Sequence, residues 1–387
     1  MKLLAGRVLR TKQPEKMTLS LETSSATKPH VSEQPVTRNN LLEFLRSALD
    51  LARGITWQQG SDSLVRLHHL ELTLSTQNTL YRKLVKRRIS EQRALDPAAD
   101  RNPKRLQIAV VSPQDSEMPA PPPWGEAVFH PRQLEQLLVD SPFRATYFHD
   151  CRLWQIYDRN QNFGLQWMQN STDFPAWERG APLRVFLHWA YQAQGYRLIH
   201  AGTLGKHDCG ILIVGKGGSG KSGTVIGGIA NGLKSVGDDY VLIRPSGERP
   251  TAFPLFTTLK QDRSGLERLG LERLAGTHPC NWQNKHEFES HEIAGDQLAR
   301  SLPIGAVVLP RIAHARHSSI RKLSQSRAML ALAPTGLFQL PGERDSGVRF
   351  FSDLIRQLPC FELILGNDPA EVSHTLERLI TGGFQCD

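Results

Sequence analysis

Eight consecutive residues, Gly215-Lys216-Gly217-Gly218-Ser219-Gly220-Lys221-Ser222, carry the spacing G-x-x-x-x-G-K-[ST]. Glycines at these places let successive backbone N–H groups curl around a polyphosphate, and a helix N-terminus adds partial positive charge. Lys221 is placed to reach the β- and γ-phosphates, and the Ser222 hydroxyl to hold Mg²⁺. The flanks suit this chemistry. Gly210-Ile211-Leu212-Ile213-Val214 reads as a buried strand, and Thr224 to Ala230 as a helix. The loop, extended by Gly223, is therefore a predicted site for ATP and Mg²⁺.

Two neighbouring segments add reactive groups. His200 ends the strand candidate Arg197-Leu198-Ile199, and Asp238-Asp239 opens the strand candidate Tyr240 to Ile243. That order allows all three segments to converge at one sheet edge. A carboxylate beside a bound γ-phosphate can take the proton of an attacking hydroxyl, and a second can bind Mg²⁺. Arg311 follows the apolar strand candidate Ala306 to Leu309 and is the candidate for stabilising charge on a transferred phosphoryl group.

Taken together, these residues resemble the HPr kinase/phosphorylase superfamily. More closely they resemble its HPr-kinase-like serine kinase branch, which includes the kinases of lasso-peptide gene clusters. The resemblance rests on Leu198-Ile199-His200-Ala201-Gly202, Gly215 to Ser222 and Gly237-Asp238-Asp239-Tyr240. It is reinforced by Phe256 to Lys260, Val307 to Arg311 and Leu330 to Pro334. It implies an α/β fold, a mixed-sheet P-loop domain of the phosphoenolpyruvate-carboxykinase-like kind with an N-terminal α+β extension. It also implies transfer of the γ-phosphate of ATP to a hydroxyl, such as a serine of a peptide or protein or a small molecule. Homo-oligomers are implied too, since HPr kinases form hexamers. Carried over, His200, Lys221 and Asp238 are catalytic, with Asp238 the proton acceptor. Ser222 binds the metal, and Asp239 is the candidate for a second metal contact. One departure stands out. True HPr kinases carry a Glu-Ile-Arg-Gly-type segment after the Asp pair, whose Glu binds metal. Here Phe253 to Lys260 stands in that place, so HPr is not the expected acceptor. An ATPase or nucleotide sensor that binds a partner without phosphorylating it is the alternative use of the same loop.

The rest of the chain narrows the class. No apolar run approaches the ~18–20 residues of a membrane span. The five cysteines are scattered without a C-x-x-C pair, which suits a reducing compartment and argues against a zinc ribbon. The expected location is the cytoplasm. The net charge of +9 comes without a recognition-helix, RNP or zinc-finger pattern, so nucleic acid is not an expected partner. A nucleotide and an anionic partner account for a basic surface.

Three regions are expected. Residues 1–38 are rich in Ser, Thr, Lys, Glu and Pro, a composition that predicts disorder. Residues 39–142 form an α+β region of unnamed fold. It starts with an amphipathic helix from Asn40 to Gly54, followed by one strand over Leu64–Leu74 and a basic helix carrying Arg82 to Arg93. Residues 143–387 form the P-loop region, opening with aromatic strands around a turn at Asp158–Asn162. Leu266–Leu274 reads as one helix and Pro369–Thr381 as the closing one. His286 and His291 are five apart, which suits no typical zinc site.

Overall fold

In a computed structural model, the protein is described at residues 37–90, 103–122, 131–245, 249–336, 340–342 and 344–384. Residues 1–36 of the predicted disordered tail lie outside these residues, whereas Thr37 and Arg38 cap and begin a helix. The described residues fall in one compact unit containing two main sheets.

The first sheet comprises β1 (Asp62–Leu67), β2 (Leu70–Ser75), β3 (Lys104–Val111), β4 (Phe143–Phe148), β5 (Leu153–Asp158) and β6 (Phe163–Trp167), in the order β1-β2-β3-β6-β5-β4. The alternation over Leu64–Leu74 predicts one strand. The structure folds it into a hairpin instead, with Leu67 opposite Leu70 and His69 at φ +52° in the tight turn. Period-two alternation reads the same on both arms of a hairpin, so it hides the turn. The boundary expected at 142/143 falls inside this sheet, because β6 pairs with β3. The aromatic strands therefore complete the N-terminal sheet.

Helices α1 (Arg38–Arg53) and α3 (Pro131–Leu137) cover one face of this sheet, and α2 (Thr79–Arg88) and α4 (Arg184–Gln192) the other. Leu41, Leu45, Ala48, Leu49 and Ala52 form the buried stripe of α1, capped by Thr37 and ended at Gly54.

The second sheet comprises β7 (Arg197–Ile199), β8 (Gly202–Lys206), β9 (Cys209–Ile213), β10 (Val241–Arg244), β11 (Thr251–Phe253), β14 (Leu302–Ala315), β15 (Ser319–Lys322) and β16 (Cys360–Gly366). A two-stranded ribbon of β12 (Thr258–Gln261) and β13 (His286–Glu289) stands apart. β14 is the hub, pairing in parallel with β9 and β16 and antiparallel with β11. In β9, Ile211 and Ile213 face α5 (Lys221–Ala230) and α11 (Pro369–Thr381). Leu212 faces α9 (Gln325–Gly336) and α10 (Arg344–Gln357). Helices on both faces explain the continuous apolar run of β9. The helix predicted over Leu266–Leu274 is broken into α6 (Arg263–Arg268) and α7 (Glu272–Thr277) at Gly270, whose φ is +67°. A four-residue helix, α8 (His291–Ala294), follows β13. The fold is mixed α/β. No helix among the described residues is long and apolar enough to cross a membrane.

Candidate active site

An open cleft of about 670 Å³ lies at the C-terminal ends of β9, β14 and β16, and the whole run from Gly217 to Thr224 except Ser219 lines it. This edge is where open α/β sheets bind ligands. The loop leaves β9 and turns into α5 at Gly220. Gly220 has φ +97°, and a Cβ there would come 2.4 Å from Leu365, so only glycine fits. The first turn of α5 thus presents its N–H groups to the cleft.

Lys221 begins α5 and points to the cleft floor, where its Nζ lies 2.8 Å from Asp238 Oδ1. The two side chains are 8% and 1% exposed. Burial disfavours the Asp238 carboxylate, but the Lys221 ammonium outweighs it and holds the group below the usual carboxylate range. The neighbouring Asp239 charge opposes this, and the Ser222 hydroxyl assists. Asp238 Oδ2 is buried without a hydrogen-bond partner among the described residues.

Asp239 sits at φ +71°, and the Tyr240 N–H donates to the Asp238 carbonyl at 2.9 Å. This tight turn separates the two carboxylates. Asp239 Oδ1 lies 2.8 Å from His200 Nε2, and Oδ2 lies 2.9 Å from Lys260 Nζ. Burial again opposes ionisation, but Lys260 and then His200 hold Asp239 well below the ordinary carboxylate range. The His200 ring stacks on Tyr240 at 5.3 Å between centroids, and Arg184 donates to the Tyr240 hydroxyl at 3.0 Å. These contacts fix the imidazole.

The structure therefore brings together His200, the loop, Asp238 and Asp239, as the sequence predicts, but with the carboxylates distributed otherwise. Asp239, expected as a metal contact, has both oxygens engaged by cationic or imidazole partners. Asp238, expected to accept a proton, is salt-bridged at the floor beside Ser222. Arg311 was expected at the transferred phosphoryl group. It lies outside the cleft lining, 3.6 Å from Glu362, which also pairs with Arg321 and Arg327. Alternation along β14 is the cause. Ile312 and His314 face the cleft, and Arg311 faces away from them. His286 and His291 have other partners, the His278 carbonyl and Glu289.

Lys260, Ile312, His314, Leu365 and Asn367 line the cleft without having been singled out as site residues. Of these, only Lys260 had a sequence signal, the segment Phe256 to Lys260.

The Mg²⁺ that a P-loop implies fits the residues present. Asp238 Oδ2 is an unpartnered buried oxygen next to Ser222, and hard oxygen donors suit Mg²⁺. Among the described residues no group of three His, Cys, Asp or Glu side chains forms a cage. Mg²⁺ usually keeps waters and phosphate oxygens as its other ligands.

No protein-family model matches the chain, and no curated protein matches it in sequence. Among solved structures it is similar to the Hpr(Ser) kinase/phosphatase from Coxiella burnetii. The identity is 10%, over 46% of this chain and 93% of that one, with a TM-score of 0.26. At that score the site must be argued from this chain's own residues.

Proposed function

We propose that the chain is an ATP-dependent phosphotransferase acting on a hydroxyl, a serine of a peptide or protein or a small hydroxylated molecule. The observation that carries this reading is the placement of Lys221, Asp238, Asp239 and His200 around one cleft at the head of α5. Within the protein, Asp238 satisfies Lys221. Bound phosphates offer Lys221 a second anionic partner, while the loop N–H groups cradle them. Ser222 and Asp238 would hold Mg²⁺, which neutralises charge building on the phosphate oxygens.

We assign the proton-accepting role to Asp239 rather than to Asp238. Its side chain is 24% exposed, against 1% for Asp238, so an incoming hydroxyl reaches it more readily. As an ionised carboxylate it is ready to accept the hydroxyl proton as the oxygen attacks phosphorus. His200, on Oδ1, orients the carboxylate and shares the charge change.

Calorimetric titration with ATP and Mg²⁺ tests the base of this reading. The unmutated protein should bind, and Lys221→Ala should bind more weakly. Equal affinity would remove the assignment of the loop. With γ-labelled ATP, label on an added hydroxyl acceptor supports a kinase. Release of free phosphate alone supports the ATPase or sensor alternative.

A further inference from the structure

Away from the cleft, the second sheet gathers three arginines on one carboxylate. Glu362 lies on β16, which runs between β14 and β15. Arg321 of β15 stands directly opposite it, with Nε 2.6 Å from Glu362 Oε2. Arg311 of β14 approaches the same oxygen at 3.6 Å from the other side. Arg327, in the first turn of α9, donates to Oε1 at 3.2 Å. The Glu362 side chain is 5% exposed, whereas those of Arg311, Arg321 and Arg327 are 50%, 57% and 58% exposed. By strand alternation these groups take the sheet face opposite to that of Ile312 and Leu365, which line the cleft.

A buried carboxylate needs one cation to offset its desolvation. Three guanidinium groups on one carboxylate leave two positive charges in excess, and no other carboxylate pairs with these arginines among the described residues. Arg327 adds to the excess, because the first turn of α9 is already the positive end of that helix. A staple joining β14, β15 and α9 would need one arginine; further ones repel the first. The cluster is therefore unsaturated as an anion site. Donors remain for another anion, since Arg311 engages Glu362 through Nε alone and Arg327 through Nη2 alone.

The strand beside the cluster has a free edge. β15 ends the sheet, with β16 on one side and no strand on the other among the described residues. In an antiparallel pair every second residue turns its N–H and C=O away from its partner. β15 thus offers backbone donors and acceptors to one more strand, and Ser319, Arg321 and Lys322 are exposed along it. An edge this basic repels a second copy of itself and favours an acidic strand. In an added strand, alternate side chains would fall on the arginine face.

We propose that β15 with Arg311, Arg321 and Arg327 is a docking edge for an extended acidic peptide, bound as an added strand whose alternate carboxylates meet the arginines. The edge starts beside the mouth of the cleft: Ser318 Oγ accepts the Gly366 N–H at 3.0 Å, and Gly366 lines the cleft. The docking is carried by the edge and its arginines and does not rest on the kinase reading.

The test is fluorescence anisotropy of the full chain with a fluorescein-labelled peptide of alternating glutamate and threonine. The unmutated protein should bind it saturably. Arg321→Ala combined with Arg327→Ala should weaken binding about tenfold or more, the worth of a charge-assisted contact. Arg311 stays on Glu362 in that variant, so the buried carboxylate keeps a cation. Arg46→Ala combined with Arg66→Ala removes the same charge from exposed positions on α1 and β1 and should leave the affinity unchanged. The same peptide with its backbone amides N-methylated keeps its charge but cannot donate to a strand edge, and it should bind about tenfold more weakly or worse.

No saturable binding to the unmutated protein would overturn the proposal. Equal binding of the N-methylated peptide would overturn it too, since charge would then act without strand pairing, and that comparison needs no variant to fold. An equal loss in both double variants would assign the affinity to net charge and not to this cluster. The assay contains no nucleotide, so its outcome is separate from that of the kinase reading, which fails if the unmutated protein neither transfers nor hydrolyses phosphate.

Discussion

Lys221→Met isolates the pair at the floor of the cleft. Lys221 and Asp238 meet at 2.8 Å with both side chains almost wholly buried. Removing one member of such a pair leaves the other charge uncompensated, at a cost of about 3–5 kcal/mol. Methionine keeps much of the apolar stem, so lost packing is a minor part. The pH dependence follows from the carboxyl. In the unmutated protein Asp238 is held below the usual range. Its contribution to stability is therefore present above the unfolded value of about 3.9 and is lost as pH falls through the folded value. In the variant, burial and the Asp239 charge are opposed by the Ser222 hydroxyl but no longer by an ammonium, and they push Asp238 up. Protonation then relieves the penalty, so the deficit should be largest near neutral pH and shrink in acid. Adding Asp238→Asn removes the stranded charge and should recover part of the loss. Calorimetric melts of the four proteins over about pH 5–8, the usual range of maximal stability, would measure this. Equal melting temperatures at neutral pH, a deficit that ignores pH, or a double variant no better than Lys221→Met would refute the reasoning.

Asp239→Asn should lower turnover of ATP with an acceptor about 10²–10⁴-fold, the usual loss of a general base, with nucleotide affinity by calorimetry unchanged. Asp238→Asn should instead raise the Mg²⁺ concentration needed for half-maximal turnover, read from a metal titration of the same assay. Arg311→Ala should leave ATP binding unchanged and cost less than about 1 kcal/mol in a melt, because Arg321 and Arg327 remain on Glu362.

The loop was legible in the sequence because its glycines, lysine and serine are contiguous, and spacing alone specifies them. Convergence of His200 and the Asp pair on the loop was legible from element order, since the three segments border neighbouring parts of one fold. Arg311 was not, because its role depends on which face of β14 it takes, and the parity of a strand is set by pairing with β9 and β16. The partners of Lys260 were hidden for a related reason. Glu287 lies opposite it through a register between strands 27 residues apart, and Arg88 reaches Glu287 from another sheet's helix. The same long-range pairing, β6 on β3, placed the N-terminal boundary where composition could not show it.

The two aspartates show how one backbone angle allocates chemistry. In sequence they are equivalent carboxylates, and their order alone does not assign the roles. In an extended strand their side chains would point to opposite faces, and one carboxylate would leave the cleft. Asp239 at φ +71° breaks that alternation, and both side chains line the same cavity. A non-glycine residue in this region costs about 1–3 kcal/mol. Contacts on both sides offset that cost: Lys221 on Asp238, and His200 with Lys260 on Asp239. Each carboxylate is thereby matched to a cation of its own, one at the head of α5 and one on β12. The strained turn is what allows a carboxylate 1% exposed and one 24% exposed to stand side by side.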